Sequence, residues 1–310
     1  MNSKDNFDEQ LEKLYNTVIN NPDKDIEKLI CKKLDKCGIM YRSFSRTKKK
    51  ESVKEKIEKK REDYLRLGKK MQDLVGIRIV LYFRDDIDIC IDILEKLFDV
   101  DNFEYDKPNA ETFKPQRINY VFNMPASIMK IPDNLSRDCL IDNTFEVQIR
   151  TIFSEGWHEV EHDIRYKYFD EWSDVPDLAR ELNGILAILE VCDYNIMSIC
   201  EQLAYKKYKE KAWDSMIRNK FRLRFSHQPL DEKLSQILSD DPRLAKDLFR
   251  FEREKLISFF AENTIPRNCN NVVYIINAIQ LHNEKIEVLV PSVITEKLKS
   301  GRCGQILDLI

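Results

Sequence analysis

The sequence predicts a mixed α/β sheet flanked by helices, followed by an accessory α+β module. Two strands anchor that prediction. "LVGIRIVLYF", residues 74–83, is a nearly continuous apolar run, as found in a strand buried on both faces. "FEVQIRT", residues 145–151, alternates apolar and polar residues, as a half-buried strand does. The segments around them keep helical spacing, and strands alternating with helices build a layered sheet.

Each element follows in order. Residues 5–37 read as two helices, broken at "NNPDKD" and ended by Gly38. "IMYRSFSR", 39–46, reads as a strand with Tyr41, Ser43 and Ser45 on one face. "KKKESVKEKIEKKREDYLRLGKK" reads as a charged helix with a thin apolar stripe of Val53, Ile57 and Leu65. Past the apolar strand, a helix spans roughly 86–98, with Asp85 and Asp86 as its N-terminal acids. A loop with Lys107, Pro108 and Asn109 leads to the strand "INYVFNMP", a polar connection and the strand "FEVQIRT". A helix over about 152–168 takes Phe153, Trp157, Val160 and Ile164 as its core stripe, and a long helix covers about 177–217. From His227 the pattern changes: "LDEKLSQIL" and "PRLAKDLFRFEREKLISFFAEN" read as helices, "NVVYIINAI" and "KIEVLV" as strands. The boundary falls near residue 225, giving domains 1–225 and 226–310.

Composition narrows the chemistry. The chain has 310 residues, 43% of them hydrophobic and 34% charged, and a net charge of −3. That charge excludes a globally basic nucleic-acid coat but not a local basic groove. Eight cysteines without CxxC pairs, and no leader before Asp5, read as reduced thiols in a cytoplasmic protein. No apolar run approaches the ~18 residues of a membrane span, so no membrane partner is expected. Only seven glycines occur, and none forms GxGxxG or GxxxxGK[ST]. A phosphate site must therefore use Lys and Arg side chains. Four histidines leave little for a multi-histidine metal hydrolase.

Four stretches combine the residue types that phosphoryl chemistry needs. In "SRTKKKESVKEK", Arg46 and Lys48 share a strand face, and Ser52 and Lys56 share a helix face. Together they suit a triphosphate; a solvated Lys/Glu helix is the plainer reading. In "QDLVGIRIV", Asp73 stands at the mouth of the buried strand and Arg78 interrupts it. A buried arginine needs an ion-pair partner or a ligand. On "FEVQIRT", Glu146, Gln148 and Arg150 point to one face, as a cleft wall or as an ordinary amphipathic strand would. If Asp73 and Glu146 lie on neighbouring strands, they would hold one magnesium ion between them. On the next helix, His158, Glu161, His162 and Arg165 flank the core stripe, and Arg165 and Lys167 extend the positive charge.

These residues, R46-x-K48-x3-S52-x3-K56, D73-L-V-G-I-R78, E146-V-Q148-I-R150-T, W157-x3-E161-H162 and R165-Y-K167, resemble in order the synthetase domain of RelA/SpoT proteins over about residues 40–170. The resemblance implies a nucleotidyltransferase-like fold and transfer of pyrophosphate from ATP to the 3′-hydroxyl of GDP or GTP, making (p)ppGpp. It implies ATP binding by Arg46, Lys48, Ser52, Lys56 and Arg150, and magnesium binding by Asp73 and Glu146. Arg78 and Gln148 join those two carboxylates as catalytic candidates. Glu146 or Asp73 would help deprotonate the acceptor, with no choice made between them. Lys114, Asn119, Glu161, His162, Arg165 and Lys167 fall on the acceptor side.

The acceptor side departs from the family. Its G-Y-R-S-x-H stretch, whose tyrosine stacks on guanine, is here "KPNAETFKPQRINYVF", without the Gly-Tyr and with Asn119 where the histidine is expected. Phe113 or Tyr120 would stack on a base or belong to the core. No histidine precedes residue 158, so the family's N-terminal hydrolase is not expected. Besides a guanine nucleotide, the acceptor would be another nucleotide or, as in toxic relatives, the 3′ end of tRNA; "RNKFRLRF" keeps RNA in play. A catalytically inactive nucleotide sensor and a homo-oligomer are further expectations. "HEVEH", 158–162, reads as a zinc-protease H-E-x-x-H, but Trp157 and Val160 take the core face of that helix.

Overall fold

In the computed structural model the backbone is described for residues 3–106 and 117–300, and side chains for all of these except 3–5, 61–67, 299 and 300. The chain divides into two compact units, residues 1–32 with 41–192, and residues 33–40 with 193–310. The division falls inside one long helix, upstream of the boundary expected near residue 225.

The first unit is built on a mixed five-stranded sheet in the order β1-β2-β5-β4-β3. Its strands are β1 (Tyr41–Thr47), β2 (Val75–Leu81), β3 (Val100–Tyr105), β4 (Ile118–Asn123) and β5 (Thr144–Thr151). The central β2–β5 pair is parallel and all other pairs are antiparallel. Ahead of these two strands the chain is already stitched: Met71 N–H donates to Leu140 O at 2.7 Å, and Asp142 N–H to Met71 O at 2.9 Å. Thr144 Oγ1 donates to Gln72 O at 3.0 Å. The stitching fixes where Asp73 stands relative to Glu146.

One face of the sheet is the core. Ile77, Ile79, Phe145, Val147 and Phe122 are buried there, and Phe98 packs edge-on against Phe145 at 5.0 Å. Helix α4 (Asp86–Leu97) adds Ile87, Cys90 and Leu94 to the buried set, with Asp85 at its N-cap and Asp86 in its first turn. Helices α1 (Ser3–Thr17) and α2 (Pro22–Cys37) precede the sheet. Asp23 and Glu27 of α2 accept hydrogen bonds from Ser43, Ser45 and Thr47, so the hydroxyl face of β1 is tied to α2. Helix α3 (Lys50–Leu67) buries Val53 and Ile57 and ends at Gly68, whose φ of 62° is the left-handed conformation glycine adopts without strain.

Several expectations change here. The exposed edge strand β3 was not foreseen, because "VDNFEY" is rich in Asp, Asn and Glu, which strands disfavour. The polar connection contains a short helix, α5 (Asp133–Asp138). The single helix expected over 152–168 is α6 (Ile152–Glu161), a π-helical turn (His162–Tyr166) and α7 (Phe169–Trp172). In it Trp157 is buried, but Val160 and Ile164 are exposed rather than core. The helix expected to reach residue 217 stops as α8 (Pro176–Lys209), and α9 (Trp213–Phe221) restarts after Lys211, whose φ is 57°. By length and composition α8 is apolar enough to cross a membrane, and 11% of its apolar stretch is buried. The sequence reading found no such run, because Glu190 and Asp193 interrupt this one.

All regular secondary structure among the second unit's described residues is helical. The unit holds α9, α10 (Glu232–Asp240), α11 (Pro242–Arg250), α12 (Arg253–Glu262), α13 (Cys269–Ile276), α14 (Glu284–Glu287) and α15 (Ser292–Ser300). The two expected strands, and with them the α+β character of the module, are replaced by α13, a π-helical turn (Asn277–Leu281) and α14. All eight residues of α13 are buried, so no polar face marks its helical period, and a short apolar run then reads equally well as a strand. Its start is marked by Asn268, whose side chain accepts from Asn271 N–H. Gly38 has a φ of 80°, and a Cβ there would meet Arg267 Cδ at 2.5 Å. Arg267 uses that space to donate to Lys36 O at 2.9 Å. No disulfide joins any two of the described cysteines.

Candidate active site

The open face of the sheet presents two rows of side chains. Strand register aligns Phe44, Arg78, Gln148 and Asn119 in one row, and Arg46, Gly76 and Glu146 in the next. All seven line a pair of adjoining cavities of about 370 and 780 Å³. Lys48, Asp73, Glu146, Gln148 and Glu159 line both and form their common wall.

Two carboxylates stand at the centre in opposite electrostatic states. Asp73 Oδ2 takes Lys56 Nζ at 2.6 Å and Lys48 Nζ at 3.3 Å. Burial pushes the Asp73 carboxyl upward, but the Lys56 hydrogen bond and the two lysine charges outweigh it and hold it below the usual range. Glu146 is raised, first by burial and then by the charge of Asp73, although Gln148 Nε2 donates to it at 3.3 Å. Asp73 Oδ1 is buried with no hydrogen-bond partner among the described residues. An orphaned hard oxygen beside a second carboxylate suits a divalent cation completed by phosphate oxygens. No group of three or more His, Cys, Asp or Glu side chains able to hold a metal ion occurs among the described residues, at "HEVEH" or elsewhere.

Arg78 has the partners its burial demands. Its Nε donates to Gln148 Oε1 at 3.2 Å and its Nη1 to Glu155 Oε1 at 2.7 Å, and Nη1 also meets Glu159. Glu155 turns its other oxygen to Arg150 Nε at 3.6 Å, so one carboxylate serves two arginines. Helix α6 delivers Glu155 and Glu159 because it starts directly at the end of β5, where Thr151 and Ser154 form a capping box. Glu155 was not singled out in the sequence, and Glu159 only as the glutamate of H-E-x-x-H; their i, i+4 spacing one turn past Arg150 was the available signal.

The first cavity also contains Phe44, 54% exposed. It too was missed, although it shares the strand face of Arg46 two residues on. Tyr120, one of two candidate stacking residues, is buried and stacked on Phe103 at 5.2 Å, so it belongs to the core. The other, Phe113, lies outside the described residues, as does Lys114.

Of the remaining sequence candidates, Ser52, Lys56, Arg150, Asn119, Glu161 and His162 line the second cavity. His158, which the sequence gave no role, also lines it, together with Lys59, Lys60, Arg117 and Tyr166. Tyr166 stacks on His162 at 5.5 Å. Arg165 and Lys167 line neither cavity. Arg165 is held by Glu161 at 3.1 Å and Asn183 at 3.0 Å, over the Trp157 ring, and Lys167 pairs with Asp163 at 2.7 Å.

Comparison with known proteins agrees in extent with this site. A family model described as the region found in RelA / SpoT proteins matches residues 45–171. No curated protein sequence matches the chain. Among solved structures, the chain is similar to small alarmone synthetase 1 from Bacillus subtilis, at 22% identity over 63% of this chain and 92% of that one, with a TM-score of 0.42. It is also similar to small alarmone synthetase 2 from the same organism, at 23% identity over 57% and 89% with a TM-score of 0.42. A GTP pyrophosphokinase family protein from Streptococcus pneumoniae matches at 22% identity over 63% and 89%, with a TM-score of 0.40.

Proposed function

We propose that residues 45–171, which match the region found in RelA / SpoT proteins, form a synthetase domain of that family, and that the protein transfers the pyrophosphoryl group of ATP to the 3′-hydroxyl of a guanine nucleotide. The observation that carries the reading is the common wall of the two cavities. Asp73 and Glu146 stand where a donor in one cavity and an acceptor in the other would meet.

In this reading Arg46, Lys48 and Lys56 bind the ATP phosphates, and Phe44 offers a ring face for the donor base. Asp73 and Glu146 would hold magnesium, which would neutralise the charge that develops on the phosphates during transfer. Lys48 and Lys56 exchange part of their pairing with Asp73 for the phosphates. Glu146 or Asp73, both on the common wall of the two cavities, would accept the proton of the acceptor hydroxyl. Gln148 orients Glu146 and Arg78 together. Most of the catalysis is positioning and charge neutralisation in an in-line geometry.

A second reading makes the 3′ end of tRNA the acceptor. It is favoured by Lys59, Lys60 and Arg117, which add positive charge to the acceptor-side cavity. Labelled ATP with magnesium and, in turn, GDP, GTP, adenine nucleotides and tRNA separates the readings. AMP release with GDP or GTP supports the first, and with tRNA alone the second. ATP binding with no AMP release under any acceptor would make the domain a sensor and sink both.

A further inference from the structure

Helices α1 and α3 run antiparallel and are joined by a ladder of three contacts. Asp8 pairs with Lys54 at 2.6 Å, Glu12 pairs with Lys50, and Tyr15 Oη donates to the backbone carbonyl of Lys48. Lys50 and Lys54 lie on the face of α3 opposite Ser52 and Lys56, so α3 meets α1 on one side and the cleft on the other. At the end of this ladder both peptide groups of Lys48 are engaged, since its N–H donates to Leu74 O at 2.8 Å. Its backbone is thereby fixed between α1 and the approach to β2, while its ammonium reaches Asp73. The residue that follows, Lys49, is the N-cap of α3 and makes no side-chain cap. Tyr15 therefore supplies an anchor at this turn that the turn's own cap residue does not.

We propose that Tyr15 is a positioning residue for the phosphate end of the cleft, acting through the Lys48 backbone and never touching substrate. The assignment rests on Lys48 being a ligand of the ATP phosphates. Tyr15→Phe removes one hydroxyl and keeps the half-buried ring, so the helix contact survives while the anchor is lost.

In the full chain, with saturating acceptor, Tyr15→Phe is expected to raise KM for ATP about threefold to tenfold, with KM for the acceptor unchanged. A double-mutant cycle supplies the second readout. In a Lys48→Ala background the same substitution should have no further effect, because the residue it positions is gone. An unchanged KM for ATP in Tyr15→Phe, or an equal increase in both backgrounds, overturns the proposal. If no acceptor supports turnover, titration of the wild type and the same variants with magnesium–ATP by calorimetry gives the same comparison as a Kd. A wild type that binds no ATP refutes the reading of the cleft, and the role of Tyr15 falls with it. A wild type that binds ATP and a Tyr15→Phe variant that binds it equally well refute Tyr15 alone.

Discussion

Lys56 and Asp73 form a 2.6 Å ion pair in which a single carboxylate oxygen is also approached by Lys48, leaving the other oxygen buried and unpartnered among the described residues. Two cations thus wait on one anion at the point where a polyphosphate and a divalent ion would be brought together.

Replacing either central carboxylate is expected to abolish turnover without unfolding the chain. Asp73→Asn and Glu146→Gln should each lower AMP release at least about a hundredfold. Circular dichroism and the melting temperature then check that the sheet survives.

The same two variants should differ in how stability follows pH. Glu146 is raised in the folded chain, so its ionisation costs stability as pH rises from 4.5 upward through the folded value. Glu146→Gln should therefore be more stable than wild type at neutral pH, and the gain should vanish below pH 4.5. Asp73 is lowered in the folded chain, so its contribution is present above pH 3.8 and is lost as pH falls through the folded value. Asp73→Asn should be less stable than wild type at neutral pH, with the difference closing in acid. Urea midpoints across a pH series in chelator-treated buffer measure both.

Glu155 links Arg78 to Arg150 and is 15% exposed. Glu155→Ala leaves two guanidinium groups facing each other with one carboxylate fewer, and should cost about 1.5–3 kcal/mol. Glu155→Asp, which keeps the charge, should recover part of it. Chemical denaturation of the two variants gives the comparison.

Phe44 is exposed, so its loss should leave stability nearly untouched. Phe44→Ala is expected to raise KM for ATP about tenfold by removing a ring face. Unchanged KM values for ATP analogues with and without the base would show that the ring contacts no base.

Legibility in the sequence followed local pattern. The alternation of "FEVQIRT" was enough to put Glu146, Gln148 and Arg150 on one face, and the apolar run around Arg78 was enough to place it centrally and to require a partner. What the partner was could not be read, since Glu155 and Glu159 reach Arg78 only because α6 begins where β5 ends. Val160 and Ile164 show the limit of helical periodicity: apolar spacing identifies a stripe but not whether anything covers it. "NVVYIINAI" shows another limit, because a helix buried all round loses the polar face by which helices are told from strands. β3 needed its partner β4 to exist at all.

The parallel pairing of β2 with β5 also carries an order in time. Arg78 and Gln148 are hydrogen-bonded neighbours yet lie 70 residues apart, with β3, β4 and α4 threaded between them. A nascent chain that has released only residues up to β4 has Asp73 and its lysines but no strand to complete the cleft. The cleft is thus incomplete until β5 has been synthesised, because Glu146, its second carboxylate, arrives with that strand. Such long-range closure is slow compared with hairpin formation. A chain terminated anywhere upstream of β5 therefore lacks Glu146, Gln148 and Arg150 together.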